Sequence, residues 1–187
     1  MHQVNWGNLV INEDNIVQQA INGNQFAFTR IYDEYFTKVY RYVYSLVGKQ
    51  SEAEDLTQDV FIKALHAINS YKFKGAPFSA WLFRIAHNQV IDYWRKQKKE
   101  KTTTLDEAIT VADKNDPVII SEQISDSEEI ATALKQIPGA QGEVISLRFI
   151  SGLSITEVAK TLGKREGTIK ALQFKGIASL KKIMPER

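Results

Sequence analysis

Between Tyr71 and Lys101 the chain interleaves flat rings with cations: Tyr71, Phe73, Phe78, Trp81, Tyr93 and Trp94 among Lys72, Lys74, Arg84, Arg95, Lys96, Lys98 and Lys99. Rings with cations beside them suit single-stranded nucleic acid, because each stacked base contributes roughly 1–3 kcal/mol and the cations hold phosphates. Arg84, Asn88 and Arg95 fall near one line of a helix, where the Asn88 amide can hydrogen-bond a base edge. Some rings must also serve a core, since Leu82, Ile85, Ala86 and Val90 need partners and Tyr93 is placed to pack with them.

Two further constellations flank this stretch. In DLTQDVFIKAL, Leu56, Val60 and Ala64 take the inner face of a helix, which leaves Asp55, Gln58, Asp59 and Ile62 together on the outer one. An exposed isoleucine beside two carboxylates fits a protein-docking patch. The same carboxylates would equally complement a helix N-terminus. Near the C-terminus, GLSITEVAKTLGKREGTIKALQFKGIASLKKIM reads as a short helix, a tight glycine turn and a longer basic helix, the pattern of a helix-turn-helix or of a plain helical hairpin. In the first case Thr168, Lys170, Ala171 and Lys175 lie near bases and phosphates, while Ile169, Leu172, Ile177 and Leu180 face inward.

Other chemistries are poorly served. With no cysteine, thiolate metal sites, thiol nucleophiles and disulfides are excluded together. The three histidines, His2, His66 and His87, have no metal-ligand spacing, and no glycine-rich loop could cradle a phosphate. We therefore expect no enzyme, no cofactor and no metal. No apolar run reaches the roughly 18 residues of a membrane span, and the N-terminal residues lack the pattern of a signal peptide, so a cytoplasmic location without membrane insertion is expected.

The elements that must position these residues follow from periodicity and charge. At 43% hydrophobic and 25% charged residues, the chain can bury cores and need not be disordered. Apolar residues recur at helical spacing almost throughout, which predicts an all-α fold. Ile31, Tyr35, Val39, Val43 and Leu46 form one stripe, widened by Phe28, Phe36, Tyr40 and Val47 and stopped at Gly48. Ser51-Glu52-Ala53-Glu54 matches a capping box for a second helix ending near Ser70, and Gly75 and Pro77 break the chain before a third from about Phe78. Later helices are expected at about 126–136, 140–150, 154–162 and 167–183, with a capping box at Ser154-Ile155-Thr156-Glu157 and a C-cap at Gly163. The net charge of +2 hides a segregation: +4 from Arg84 to Lys101, −6 from Thr102 to Gln136, +6 from Lys160 to Arg187. Two basic blocks separated by an acidic one point to two contacts with a polyanion. We expect two small helical domains, 1–100 and 126–187, joined by an acidic flexible linker over 101–125.

The order DLTQDVFIKAL, then GAPFSAWLFRIAHNQVIDYWR, then an acidic segment, then IPGAQGEVISLRFISGLSITEVAKTLGKREGTIKAL resembles the extracytoplasmic-function (group IV) sigma factors of bacterial RNA polymerase, in the sigma-70 family, from about Gln25 to Ile183. The resemblance implies a sigma-2-like helical bundle followed by a sigma-4-like helix-turn-helix. It implies docking on the polymerase core, at the largest-subunit clamp and the flap, with Asp55, Gln58, Asp59 and Ile62 in contact. It implies −10 recognition and strand opening by Tyr71, Phe73, Lys74, Phe78, Trp81, Arg84, Asn88 and Arg95, and −35 duplex recognition by Lys164, Arg165, Thr168, Lys170, Ala171, Phe174 and Lys175. Its partners would be core polymerase, promoter DNA in duplex and single-stranded form, and an anti-sigma factor. Arg165 and the run Ala171-Leu172-Gln173-Phe174 depart from the family pattern, so promoter sequence does not transfer. Gly139 and Gly142 stand where relatives carry longer residues, and a helical glycine costs about 1 kcal/mol against alanine, so the second domain is expected to be marginally stable alone. The competing function is a helix-turn-helix regulator acting without docking on polymerase, which would need neither the docking helix nor the stacking platform.

Overall fold

Each long apolar stripe becomes a helix. The structure, a computed structural model, describes residues 13–73, 75–103 and 123–184, and there is no strand among the described residues. The first half comprises α1 (Glu13–Ile21), α2 (Gln25–Val47), α3 (Gln50–Ala67), a short 3₁₀ turn (Ile68–Ser70) and α4 (Phe78–Thr103). At the start of α2 the Asn24 side chain accepts the Ala27 N–H at 3.2 Å, and at its end Gly48 turns left-handed (φ 68°) and donates its N–H to Tyr44 at 2.7 Å. Only glycine takes such a conformation without strain, so the α2 stripe stops where the sequence predicts.

The capping box expected at Ser51 does not form. After the Gly48 turn, Lys49 is extended (φ −129°, ψ 126°) and occupies the cap position without a side-chain bond, so α3 starts at Gln50. Ser51 then lies within the first turn, two residues past the cap position from which a hydroxyl would serve the free N–H groups.

The second half comprises α5 (Gln123–Lys135), α6 (Gly139–Ile145), a π-helical turn (Ser146–Ile150), α7 (Ile155–Leu162) and α8 (Glu166–Ile183). The single helix expected over 140–150 is thus interrupted: the Ser151 N–H reaches back five residues to the Ser146 carbonyl at 3.0 Å. Buried Ser146 bonds the Gly142 carbonyl through its own hydroxyl at 2.9 Å, the back-bonding that loosens a regular helix. Gly142 is more than a cost to helicity. A Cβ there would stand 3.2 Å from the Leu134 carbonyl, so glycine lets α6 close on the end of α5. Gly176, not singled out from sequence, has the same role where α8 crosses α6: its Cβ would come 2.9 Å from Ile145 Cγ1. Of the expected acidic linker, 104–122 lies outside the described residues, while α4 continues through Thr103 and α5 begins at Gln123.

One apolar cluster runs through both halves. It joins Ile31, Val39, Tyr42, Val43, Val60, Leu82 and Phe83 to Val144, Leu147, Val158 and Ile169. A smaller cluster of Leu134, Ile137 and Ile145, with Ile177 and Leu180 packed on it, knits α5, α6 and α8.

The second capping box forms as read: the Glu157 N–H bonds Ser154 Oγ at 3.2 Å, and Glu157 Oε2 accepts the Ser154 N–H at 2.7 Å. Ser154→Ala should lower the stability of the chain by about 1 kcal/mol, checked by urea denaturation, with an unchanged m-value showing that the fold itself is retained.

Candidate nucleic-acid interface

The three constellations occupy three separate surfaces. On α3, buried Ala53, Thr57, Val60, Phe61 and Ala64 fix which side faces in. The Thr57 hydroxyl is satisfied within the helix, donating to the Ala53 carbonyl at 2.6 Å. Asp55, Gln58, Asp59 and Ile62 are all exposed and share the outer side. Leu65 joins them: it is 50% exposed against 54% for Ile62, one turn away. By residue type a leucine in an amphipathic helix reads as core, so nothing in the sequence marked it. Beneath this face Gln89 of α4 is buried, donates to Asp59 Oδ2 at 3.5 Å and accepts from the Lys63 ammonium.

The stretch after α3 separates its rings by burial. Tyr71 and Phe78 are 6% and 2% exposed and belong to the core, so in this structure neither offers a face to a base. Tyr71 stands 5.2 Å from Phe73 and 5.5 Å from both Phe78 and Trp81, and its hydroxyl donates to the Ala76 carbonyl at 2.9 Å. This buried pair is a floor that holds the loop, while Phe73 is exposed and Trp81 half-buried above it. Rings close to lysines in sequence read as surface rings; for Phe78 the close fit against α2, 5.7 Å from Tyr35, makes it core instead. Lys74 lies outside the described residues. Arg84, Asn88 and Arg95 are exposed along α4, Arg95 in a surface ion pair with Asp92 at 2.8 Å. Tyr93 is half-buried against the core, as expected, and Trp94 is exposed.

In the third surface Gly163 turns left-handed (φ 63°) between α7 and α8. Ile169 is fully buried and anchors the start of α8. Lys164, Arg165, Thr168, Lys170, Ala171, Phe174 and Lys175 are exposed together around that helix end, Phe174 by 77%. The Thr156 hydroxyl donates to Glu166 at 2.6 Å across the turn, tying α7 to α8. Arg148, unmarked by sequence reasoning, braces the unit: its Nε donates to Gln173 at 3.0 Å and its guanidinium reaches the Leu153 carbonyl. Such an apolar-flanked arginine carries no sequence signal; its role appears once the turn before α7 folds beside α8.

Among the described residues no group of His, Asp or Glu converges as a metal site requires, and no helix is long and apolar enough to cross a membrane.

Comparison with known proteins follows these surfaces. The family model for Sigma-70 region 2 matches residues 31–100, and that for Sigma-70, region 4 matches residues 133–182. The chain is similar to the ECF RNA polymerase sigma factor BldN of Streptomyces coelicolor, 35% identical over 173 residues, 91% of this chain and 65% of that protein. It is similar to the ECF RNA polymerase sigma factor SigW of Bacillus subtilis, 33% identical over 177 residues, 89% of this chain and 93% of that protein. Among solved structures, the sigma factor RpoE in complex with the anti-sigma factor NepR from Bartonella quintana superimposes with a TM-score of 0.70 at 26% identity, covering 86% of this chain and 98% of that one.

Glu157 carries a pH dependence. Burial pushes its carboxyl up, but hydrogen bonds from the Ser154 hydroxyl, the Ser79 hydroxyl and the Ser154 N–H, with the nearby Arg148 charge, bring it below its ordinary value. A carboxyl lowered on folding stabilises the chain above its unfolded value, and that contribution is lost as pH falls from there through the folded value. Glu157→Gln should therefore shrink the loss of stability on acidification below about pH 4.5, measured by urea midpoints over an acid series; an acid limb as steep as the parent's would contradict it.

Proposed function

The chain belongs to the extracytoplasmic-function sigma factors of the sigma-70 family, and on that premise we propose that it binds core RNA polymerase and directs promoter recognition, −10 strand opening and initiation at a signal-responsive regulon. The observation that carries this reading is the presence in one chain of an exposed acidic and apolar face on α3 and an exposed basic start of α8, both backed by the apolar cluster that runs through the two halves. We place −10 recognition in residues 1–100, −35 recognition in 126–187, and the acidic segment 101–125 between them.

On this reading Asp55, Gln58, Asp59 and Ile62, with Leu65, meet the clamp of the largest subunit. Gln89 holds the Asp59 carboxylate in place from below. Phe73, Trp81, Arg84, Asn88 and Arg95 read the opened −10 strand, with Tyr71 and Phe78 as the buried floor and Lys74 among the loop cations. Lys164, Arg165, Thr168, Lys170, Ala171, Phe174 and Lys175 read the −35 duplex, where the first turns of a recognition helix meet base edges and phosphates. All of this is binding chemistry: the protein supplies no covalent catalysis and works in the cytoplasm, where its DNA is. An anti-sigma factor is the fitting regulator, as NepR is the partner of the solved RpoE. A regulator working away from polymerase would leave the α3 face without a purpose. Gel filtration with core enzyme separates the two, since a sigma factor co-elutes, and transcription from genomic DNA then identifies its promoters.

Asp59→Lys should weaken core binding by about tenfold or more, because a like charge facing a basic partner costs several kcal/mol, while the helical circular-dichroism signal stays. Core affinity equal to the parent's would remove α3 from the interface. For Lys170 we propose a phosphate contact: Lys170→Ala should weaken binding to all duplexes alike and reduce the salt slope by about one. A loss confined to one −35 position would make it a base contact instead.

A further inference from the structure

Asp59 and Lys63 stand four residues apart on α3, acid before base, the spacing at which a helix ordinarily closes an ion pair. Both are exposed, yet among the described residues no ion pair joins them. On α2, Glu34 and Lys38 at the same spacing close directly, at 2.6 Å. What differs on α3 is the Gln89 side chain of α4. Its Oε1 accepts from the Lys63 ammonium, and its Nε2 donates to Asp59 Oδ2 at 3.5 Å. A neutral amide thus stands where the pair would otherwise close.

An amide is a costly filler in this place. Gln89 is 5% exposed, its neighbours along α4, Ala86 and Val90, are fully buried, and Val60 and Ala64 of α3 belong to the same apolar cluster. A polar side chain in such surroundings costs free energy unless its donor and acceptor are both bonded, and an aliphatic residue of similar length would fill the space with no such cost. Both polar groups of Gln89 are bonded, each to a charge on α3. What the amide adds over an aliphatic chain is control of those two charges.

The consequence is electrostatic. An ammonium closed on Asp59 would cancel the carboxylate on the face that carries Asp55, Gln58 and Ile62, and would itself meet a basic partner as a like charge. Held by Gln89, the ammonium stays off the carboxylate. The amide has no net charge, so it fixes both groups without neutralising either.

We propose that Gln89 is a positioning residue of the polymerase-docking face: by holding the Lys63 ammonium away from Asp59, it leaves that carboxylate to the partner. The inference rests on the proposed docking of α3 and adds to it a buried residue of α4, the helix that carries Asn88.

The test uses the full-length chain. Gln89→Met keeps the length and apolar stem of the side chain and removes both bonds, while Lys63→Met removes the cation. Affinity for core RNA polymerase is measured by calorimetric titration at one ionic strength for the parent, both single variants and the double variant. Urea midpoints and the helical circular-dichroism signal check folding. Gln89→Met is expected to bind core at least about threefold more weakly, because Lys63 then closes on Asp59. Lys63→Met alone is expected to stay within about twofold of the parent, because its cation is already withheld. In the double variant more than about half of the loss, on a logarithmic scale, is expected to return, which a packing defect left by the missing amide would not allow. Three results would overturn the proposal: Gln89→Met binding within about threefold of the parent, Lys63→Met alone departing from the parent by more than about twofold in either direction, or a double variant that recovers less than about half of the loss. Should Gln89→Met fail to fold, Gln89→Asn, whose amide reaches one methylene less far, is compared in the same way with Lys63 present and replaced. Parent chain that binds no core enzyme sinks the sigma reading itself, and a parent that binds no better than Asp59→Lys removes α3 from the interface; either leaves Gln89 no face to arrange.

Discussion

Burial of α2 by both halves is the constraint on which the rest of this structure depends. α1, α3 and α4 pack on it from the first half, and α5 and the π-helical turn from the second. Tyr42, in the middle of α2, is fully buried, with its ring 5.6 Å from Phe83 of the first half and its hydroxyl on Glu143 of the second. A large side chain fully buried contributes about 1.5–3 kcal/mol. Phe83, Leu147 and Ile169, drawn from both halves, add theirs to the same cluster.

That shared core decides what remains outside. The side of α3 opposite its buried residues, and the start of α8 beyond Ile169, are left to solvent because their inner neighbours are committed to apolar contacts. The exposed side chains there are held by few but specific bonds, Asp59 by Gln89 and the α7–α8 turn by Thr156 to Glu166. Rigid elements present these groups, and a rigid presentation lowers the ordering cost on binding a partner. The loop before α4 is organised differently, on the buried pair Tyr71 and Phe78, and so depends on how the rest of the chain packs.

Much of the fold was legible in advance where a local rule has no competitor. The left-handed turns at Gly48 and Gly163 and the reciprocal cap of Ser154 and Glu157 are short-range geometries that residue type dictates. The outward placement of Asp55, Gln58, Asp59 and Ile62 follows from a single amphipathic period. The cap read at Ser51 failed because the preceding glycine turn moved the cap position to Lys49, a shift of two residues that the pattern cannot resolve. The continuous helix read over 140–150 failed because a buried serine bonds its own backbone and loosens the turn.

By itself, then, the sequence determined the all-α class, the helix stops, the segregated charge and the family, because each depends on residue type and spacing along one chain. The tertiary structure alone decided that Tyr71 and Phe78 are buried, that Leu65 lies outside, that Gly142 and Gly176 serve close crossings, and that Glu143 sits between Tyr42 and His87. Each of these turns on which element lies across from the residue, about a hundred positions away in the Tyr42–Glu143 pair. Helical periodicity marks a single buried face, and α2 has a second neighbour that no periodicity announces.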